Sequence, residues 1–194
     1  MISFRVRFGC LLVCGMSLGA ACDGGGPAQS PPSSVKEPVA DSAPYLCELV
    51  PERAFRAVTA LSEPLTSGWD GPQTDNGLCL ASAAEQKAAL GLAWSYIDGE
   101  GTIRFQRKKW ADNTTHRLPS ELGEGLAVVI PTAGAIVRPN YVIALFRCGK
   151  KRPWISIDFA PVVRGRDAVQ DMFDFMRIAE KRFGEIHKCT PRPS

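Results

Sequence analysis

Apolar positions recur along this chain with several different rhythms, and each rhythm predicts a different element. Residues 8–21 are apolar with hardly a break, whereas residues 23–44 hold only Val35 and Val39 as large aliphatics. Ala54, Phe55, Val58 and Leu61 recur at helical spacing and predict a helix over 51–61. Pro51 suits its first turn and Glu63-Pro64 ends it. Turn signals at Ser67-Gly68, Asp70-Gly71-Pro72 and Asn76-Gly77 predict a loop over 66–77, followed by a short strand over 77–81 around Cys79.

Ser82 and Glu85 form a capping-box pair, and Ala, Gln and Lys favour helix there. The other reading of 82–91 is the loop of a strand pair, and a loop with one helical turn is expected. Leu92, Trp94 and Tyr96 alternate with Ala93, Ser95 and Ile97, predicting a strand over 90–97. Asp98-Gly99-Glu100-Gly101 reads as a hairpin turn, with a return strand over 102–107 that puts Ile103 and Phe105 on one face. Continuous apolar runs at 125–130 and 141–146 predict buried central strands. A turn at 149–153 leads into an alternating strand over 154–159.

The clearest element is the last helix, where Ala168, Met172, Phe175, Ile178 or Ala179, Phe183 and Ile186 make one apolar face. Asp167 and Gln170 form a capping-box-like pair. Acidic residues crowd its start and Lys181, Arg182 and Lys188 its end, matching the helix dipole. Helix, antiparallel meander, helix describes an α+β domain over 45–190. It is expected as one antiparallel sheet of about five to six strands with an N-terminal helix and a long C-terminal helix covering one face. Residues 191–194 are expected as a tail.

The N-terminal run has the composition of an export signal. Arg5 and Arg7 precede it, no acidic residue interrupts it, and its 14 residues fall short of the ~18 expected of a spanning helix. Gly19, Ala20 and Ala21 then lead into Cys22, so residues 1–21 resemble a bacterial lipoprotein signal, with Leu18 one step earlier than usual. On that reading Cys22 becomes the N-terminus and carries acyl chains, palmitate among them, and two or more chains anchor stably. An unused lipobox would leave a secreted protein. Gly15-Met16-Ser17-Leu18-Gly19 matches a nucleophile-elbow pattern but lies inside this apolar run, without the strand–turn–helix context. Residues 22–44 are expected as a disordered Pro/Gly/Ser-rich tether.

Seven cysteines then resolve into classes. Cys10 and Cys14 leave with the signal and Cys22 is the lipid site, so Cys47, Cys79, Cys148 and Cys189 remain. An even set in an exported domain implies two disulfides, with three connectivities open. The preferred pairing is Cys47–Cys79 and Cys148–Cys189, worth ~3.5–4 kcal/mol each in the chain-entropy limit. No C-x-x-C remains, and His187 with Cys189 lacks zinc-site spacing, so neither metal nor cofactor is expected.

These cysteines sit in recurring contexts. Cys47 lies just before a short helix (Leu46-Cys47-Glu48-Leu49-Val50-Pro51), and Cys79 in a strand (Leu78-Cys79-Leu80). Cys148 ends a strand (Leu145-Phe146-Arg147-Cys148), and Cys189 closes the last helix (His187-Lys188-Cys189). With the lipobox and tether, the framework resembles the actinobacterial lipoproteins of domain-of-unknown-function family 3558, whose members often have an aromatic residue where this chain has Ala81. It is distantly similar to mycobacterial envelope lipoproteins with a fold like photosystem subunit P and Mog1. The resemblance implies a sheet-plus-helices fold and an envelope location, and it brings no catalytic motif.

Charge adds little. The balance of +3 becomes about +1 once Arg5 and Arg7 are removed, leaving 21 basic against 20 acidic residues. That argues against a nucleic-acid partner. His116 falls in a polar stretch and His187 ends the last helix, where a protonated imidazole suits the dipole. Asp98 and Glu100 are read as turn carboxylates rather than an acid/base pair, and Asn113-Thr114-Thr115 is a bare sequon. No P-loop, dinucleotide fingerprint or EF-hand series appears. Two basic clusters end in tryptophan: Arg107-Lys108-Lys109-Trp110 and Lys150-Lys151-Arg152-Pro153-Trp154. Lys108, Lys109, Trp110, Lys150, Lys151 and Arg152 are therefore candidates for contact with anionic lipid or wall polymer. The competing role is protection of turns and sheet edges. The expectation is an extracytoplasmic, lipid-anchored, non-enzymatic module that binds a ligand or an unidentified protein partner. The alternative is an envelope hydrolase or transferase with a site around His116.

Overall fold

The computed structural model describes residues 37–84, 86–131 and 137–194. Residues 1–21, the Gly15–Gly19 motif, Cys22 and most of the expected tether lie outside them. The described chain is α+β. Short strands β1 (Tyr45–Leu46) and β2 (Val50–Pro51) pair and lead into α1 (Glu52–Thr59). There follow β3 (Thr66–Asp70), β4 (Asn76–Ser82), β5 (Leu90–Ser95), α2 (Gly99–Lys109) and β6 (Thr115–His116). A 3₁₀ turn (Ser120–Leu122) precedes β7 (Glu124–Val129), β8 (Asn140–Cys148) and β9 (Trp154–Phe159). Helix α3 (Ala168–His187) and β10 (Pro191–Pro193) complete the chain.

The main sheet has eight strands rather than five or six, in the order β3-β4-β5-β9-β8-β7-β6, with β10 beside β8. Every pairing is antiparallel. The additional strands come from segments whose composition hides them. β3 is an exposed edge built from Thr66, Ser67 and Gly68 within the expected loop. β10 falls in the expected tail, where Pro191 and Pro193 flank Arg192 at positions that tolerate a missing N–H.

One face of the sheet carries the larger core. Val142, Ala144, Phe146, Ile155, Ile157 and Phe159 pack there against Phe55 of α1 and Met172, Phe175, Met176, Ala179 and Phe183 of α3. The rings of Phe159 and Phe175 lie 5.5 Å apart, and those of Phe146 and Phe183 5.6 Å. Ile186, expected on this face, is exposed. Asp167 caps α3 by accepting from the N–H groups of Val169 and Gln170, while the Gln170 side chain bonds Asp174 instead of closing a capping box.

The opposite face is covered by α2, so the helices lie on both sides of the sheet rather than on one. Residues 99–109 are a helix, not a hairpin turn and strand. Asp98 adopts a left-handed conformation (φ 43°) and its carboxylate accepts from Gly101 N–H at 3.0 Å. The Thr102 hydroxyl donates to the Asp98 carbonyl at 2.9 Å. Gly99 serves packing: a Cβ there would collide with Leu145. Ile103 enters a second core with Leu126, Val128, Ile143 and Leu145, while Phe105 stays 63% exposed, which breaks the expected two-residue alternation.

Residues 83–89 link β4 to β5, with no helix among the described residues. Ala83 and Gln86 exchange backbone hydrogen bonds (3.0 and 3.2 Å), and Ser82 Oγ accepts from Ala88 N–H at 2.8 Å. Glu85 lies outside the described residues. The end of the expected tether is docked: Val39 packs on the core, and Asp41 accepts from Tyr45 Oη (2.8 Å) and Lys181 Nζ (2.7 Å).

Two disulfides join Cys47 to Cys79 and Cys148 to Cys189, with Cα separations of 5.9 and 5.3 Å. Such bonds persist in oxidising, extracytoplasmic surroundings. Among the described residues no helix is long and apolar enough to cross a membrane.

Candidate functional site

The two basic clusters lie at opposite ends of β8. α2 begins beside Leu145 and Trp154 and ends where Trp110 meets Tyr141, with ring centroids 6.0 Å apart. An 11-residue helix separates them by roughly 16 Å. In the first cluster Arg107 pairs with Glu124 at 3.1 Å. Trp110 Nε1 donates to Gln106 at 3.1 Å, and Lys109 Nζ sits 4.5 Å over the Trp110 ring. In the second, Lys151 Nζ lies 3.9 Å over the Tyr96 ring and 3.6 Å from Asp75, and Arg152 pairs with Glu100. Trp154 Nε1 donates to the Ile97 carbonyl at 3.0 Å.

Two arginines that the sequence analysis does not single out change this picture. Arg147 on β8 and Arg192 on β10 are direct cross-strand partners. Side chains so placed share a face, and like charges directly opposite are unfavourable. Both line a cleft of about 420 Å³ with Gly149 and Thr190, and Lys150 follows Gly149 in the chain. Arg147, Arg192 and Lys150 make no side-chain hydrogen bond or ion pair among the described residues. Arg192 was hidden because a Pro-Arg-Pro tail gives no strand signal. Without β10, Arg147 reads as an isolated outward residue.

A third feature is equally silent in sequence. Glu180 sits mid-way along α3, only 5% exposed, and its Oε1 has no hydrogen-bond partner. Burial pushes its carboxyl up to about 9, against a lowering by Arg177 and with a further rise from Glu121. It lines a pocket of about 340 Å³ between α3, the 3₁₀ turn and β10.

The remaining candidates are not brought together. Asp98 caps α2 and Glu100 pairs with Arg152. His116 pairs through its backbone with Ala127. His187 stacks 4.0 Å from Phe183 and meets the Trp94 ring at 4.9 Å. Burial, aided by Lys151, lowers its pKa, so the environment favours the neutral imidazole and not the protonated form expected at a helix end. Among the described residues no group of three or more His, Cys, Asp or Glu is placed to hold a metal ion. Comparison with protein-family models, curated proteins and solved structures finds no match for this chain.

Proposed function

We propose that this chain is a cell-envelope lipoprotein, anchored through acylated Cys22, whose domain is a non-enzymatic module that binds an anionic envelope component. The observation that carries this reading is the facing pair Arg147 and Arg192, unpaired among the described residues in a cleft with Thr190. Guanidinium groups suit phosphate and carboxylate oxygens bidentately, and Thr190 adds a hydroxyl donor. The envelope location rests on the signal-like residues 1–21, the two disulfides and the resemblance to family 3558.

The test uses the mature chain with Cys22→Ser, co-sedimented with phosphatidylglycerol-containing and with purely zwitterionic vesicles. Retention should require the anionic lipid. At about 1 kcal/mol per cation near an anionic surface, R147A/R192A should lower it roughly thirty-fold at low salt. Equal retention of the variant and the parent would remove the reading. Metabolic labelling with a palmitate analogue tests the anchor, and C22A should abolish incorporation.

A further inference from the structure

We propose that the pocket between α3, the 3₁₀ turn and β10 binds a small neutral ligand bearing an amide, with the Glu180 carboxyl as its hydrogen-bonding partner. The site adjoins the basic cleft, sharing Thr190 with it, and does not depend on how that cleft is used.

Its starting point is an unmet requirement. A buried polar atom without a partner costs free energy, and native proteins rarely keep one without a reason. Glu180 Oε1 is such an atom, and Glu180 lines an adjoining open pocket. The fold offers it no internal partner, because the nearby cations are already engaged. Arg177 bonds Glu121 at 2.9 Å and Asp174 at 2.8 Å, Lys181 bonds Asp41 at 2.7 Å, and Arg182 pairs with Glu185.

The surroundings define the ligand class. Leu122, Gly184, Pro191 and the Cys189 disulfide supply an apolar floor. Gly184 makes that floor possible, since a Cβ there would run into Pro191 and the Cys189 carbonyl and push β10 off α3. A protonated carboxyl presents an O–H donor beside a carbonyl acceptor. An amide presents the complementary acceptor and N–H donor. A cationic amine would require two charges to be desolvated against that floor, which their attraction does not reliably repay. The volume of about 340 Å³ lies at the small end of ligand pockets.

The experiment compares benzamide with benzylamine, similar in size and different in charge at neutral pH, titrated into the mature chain with Cys22→Ser and followed by NMR. Benzamide should bind saturably in preference to benzylamine. Its affinity should fall as the pH rises past about 9 and Glu180 ionises. The other ionisable groups lining the pocket are Arg177, Lys181 and Glu185 of α3 and Glu121 of the 3₁₀ turn. E180Q keeps a donor–acceptor pair, so it should retain binding and lose the pH dependence, which separates Glu180 from those groups. E180L should lower affinity roughly tenfold or more. Absence of saturable benzamide binding, preference for benzylamine, or an unchanged pH dependence in E180Q would each overturn the proposal.

Discussion

The bond between Cys148 and Cys189 ties the last residue of β8 to the residue just past the left-handed cap of α3, and so fixes where β10 starts. Arg192 and Pro191 of the Glu180 pocket both follow within three residues of it. The Cys47–Cys79 bond ties the β1–β2 turn to β4, on the other flank of the sheet. Sequence separations of 41 and 32 give similar chain-entropy contributions of about 4 kcal/mol each as an upper figure. C148A/C189A and C47A/C79A should therefore lose comparable stability in urea titrations. Only the former should also lose anionic-vesicle retention measured under conditions where the domain stays folded. Equal loss from both pairs would mean that β10 does not build the cleft.

Asp98 decides between helix and hairpin at residues 98–109. Its left-handed backbone and side-chain cap start α2, and Gly99 lets the helix approach Leu145 Cδ1 closely. D98A removes the cap and should cost about 1–2 kcal/mol, whereas D98N tolerates the left-handed conformation, keeps an oxygen acceptor and should cost less. G99A should cost about 1–3 kcal/mol by overpacking against Leu145. Chemical denaturation with far-UV circular dichroism measures each. A D98N penalty equal to that of D98A would take the side-chain cap out of the account.

The same segment shows why legibility was uneven. Elements with long uninterrupted patterns, such as the α3 face at Met172, Phe175, Ala179 and Phe183, were readable because burial there follows one period. Asp98-Gly99-Glu100-Gly101 was misread because glycine marks a turn in sequence statistics but here permits a close approach to Leu145. β3 and β10 were missed because edge strands need little apolar surface, and their register is supplied by partners far away in sequence. The candidate sites were the least legible for the same reason. Arg147 faces Arg192, and Glu180 and Pro191 come to line one pocket, only after β10 has joined the sheet. Lys151 and Arg152, which looked free, acquire Asp75 and Glu100 from distant segments.

Stability should respond to pH through buried Glu180 and partly buried His187, acting in opposite senses. Glu180 is raised from 4.5 to about 9 in the fold. The folded state therefore holds its proton more tightly, and the stabilisation is full below pH 4.5 and lost as the pH climbs towards 9. His187 is lowered from 6.5, so its contribution is present above pH 6.5 and lost on acidification through its lower folded value. Melting temperatures from pH 5 to 9 should thus fall on the alkaline side in the parent and much less in E180Q. H187F should flatten the acid side while keeping the stack on Phe183. A parent profile parallel to that of E180Q would mean that Glu180 is solvated.

The cations should separate into those that serve the fold and those that serve a ligand. Lys151 satisfies Asp75 and covers Tyr96, and Arg152 satisfies Glu100, so K151A and R152A should act mainly on stability, by about 0–1 kcal/mol each at these exposed positions. Lys108 and Lys109 sit in the last turn of α2, where the helix dipole already favours positive charge. K150A added to R147A/R192A should lower anionic-vesicle retention further, and raised salt should shrink every such difference. The quadruple replacement of Lys108, Lys109, Lys150 and Lys151 by alanine should also lower retention, with Lys150 responsible for most of its effect. If K108A/K109A alone reproduces the full loss, the anionic contact belongs at the Trp110 end of β8 and not at the arginine pair.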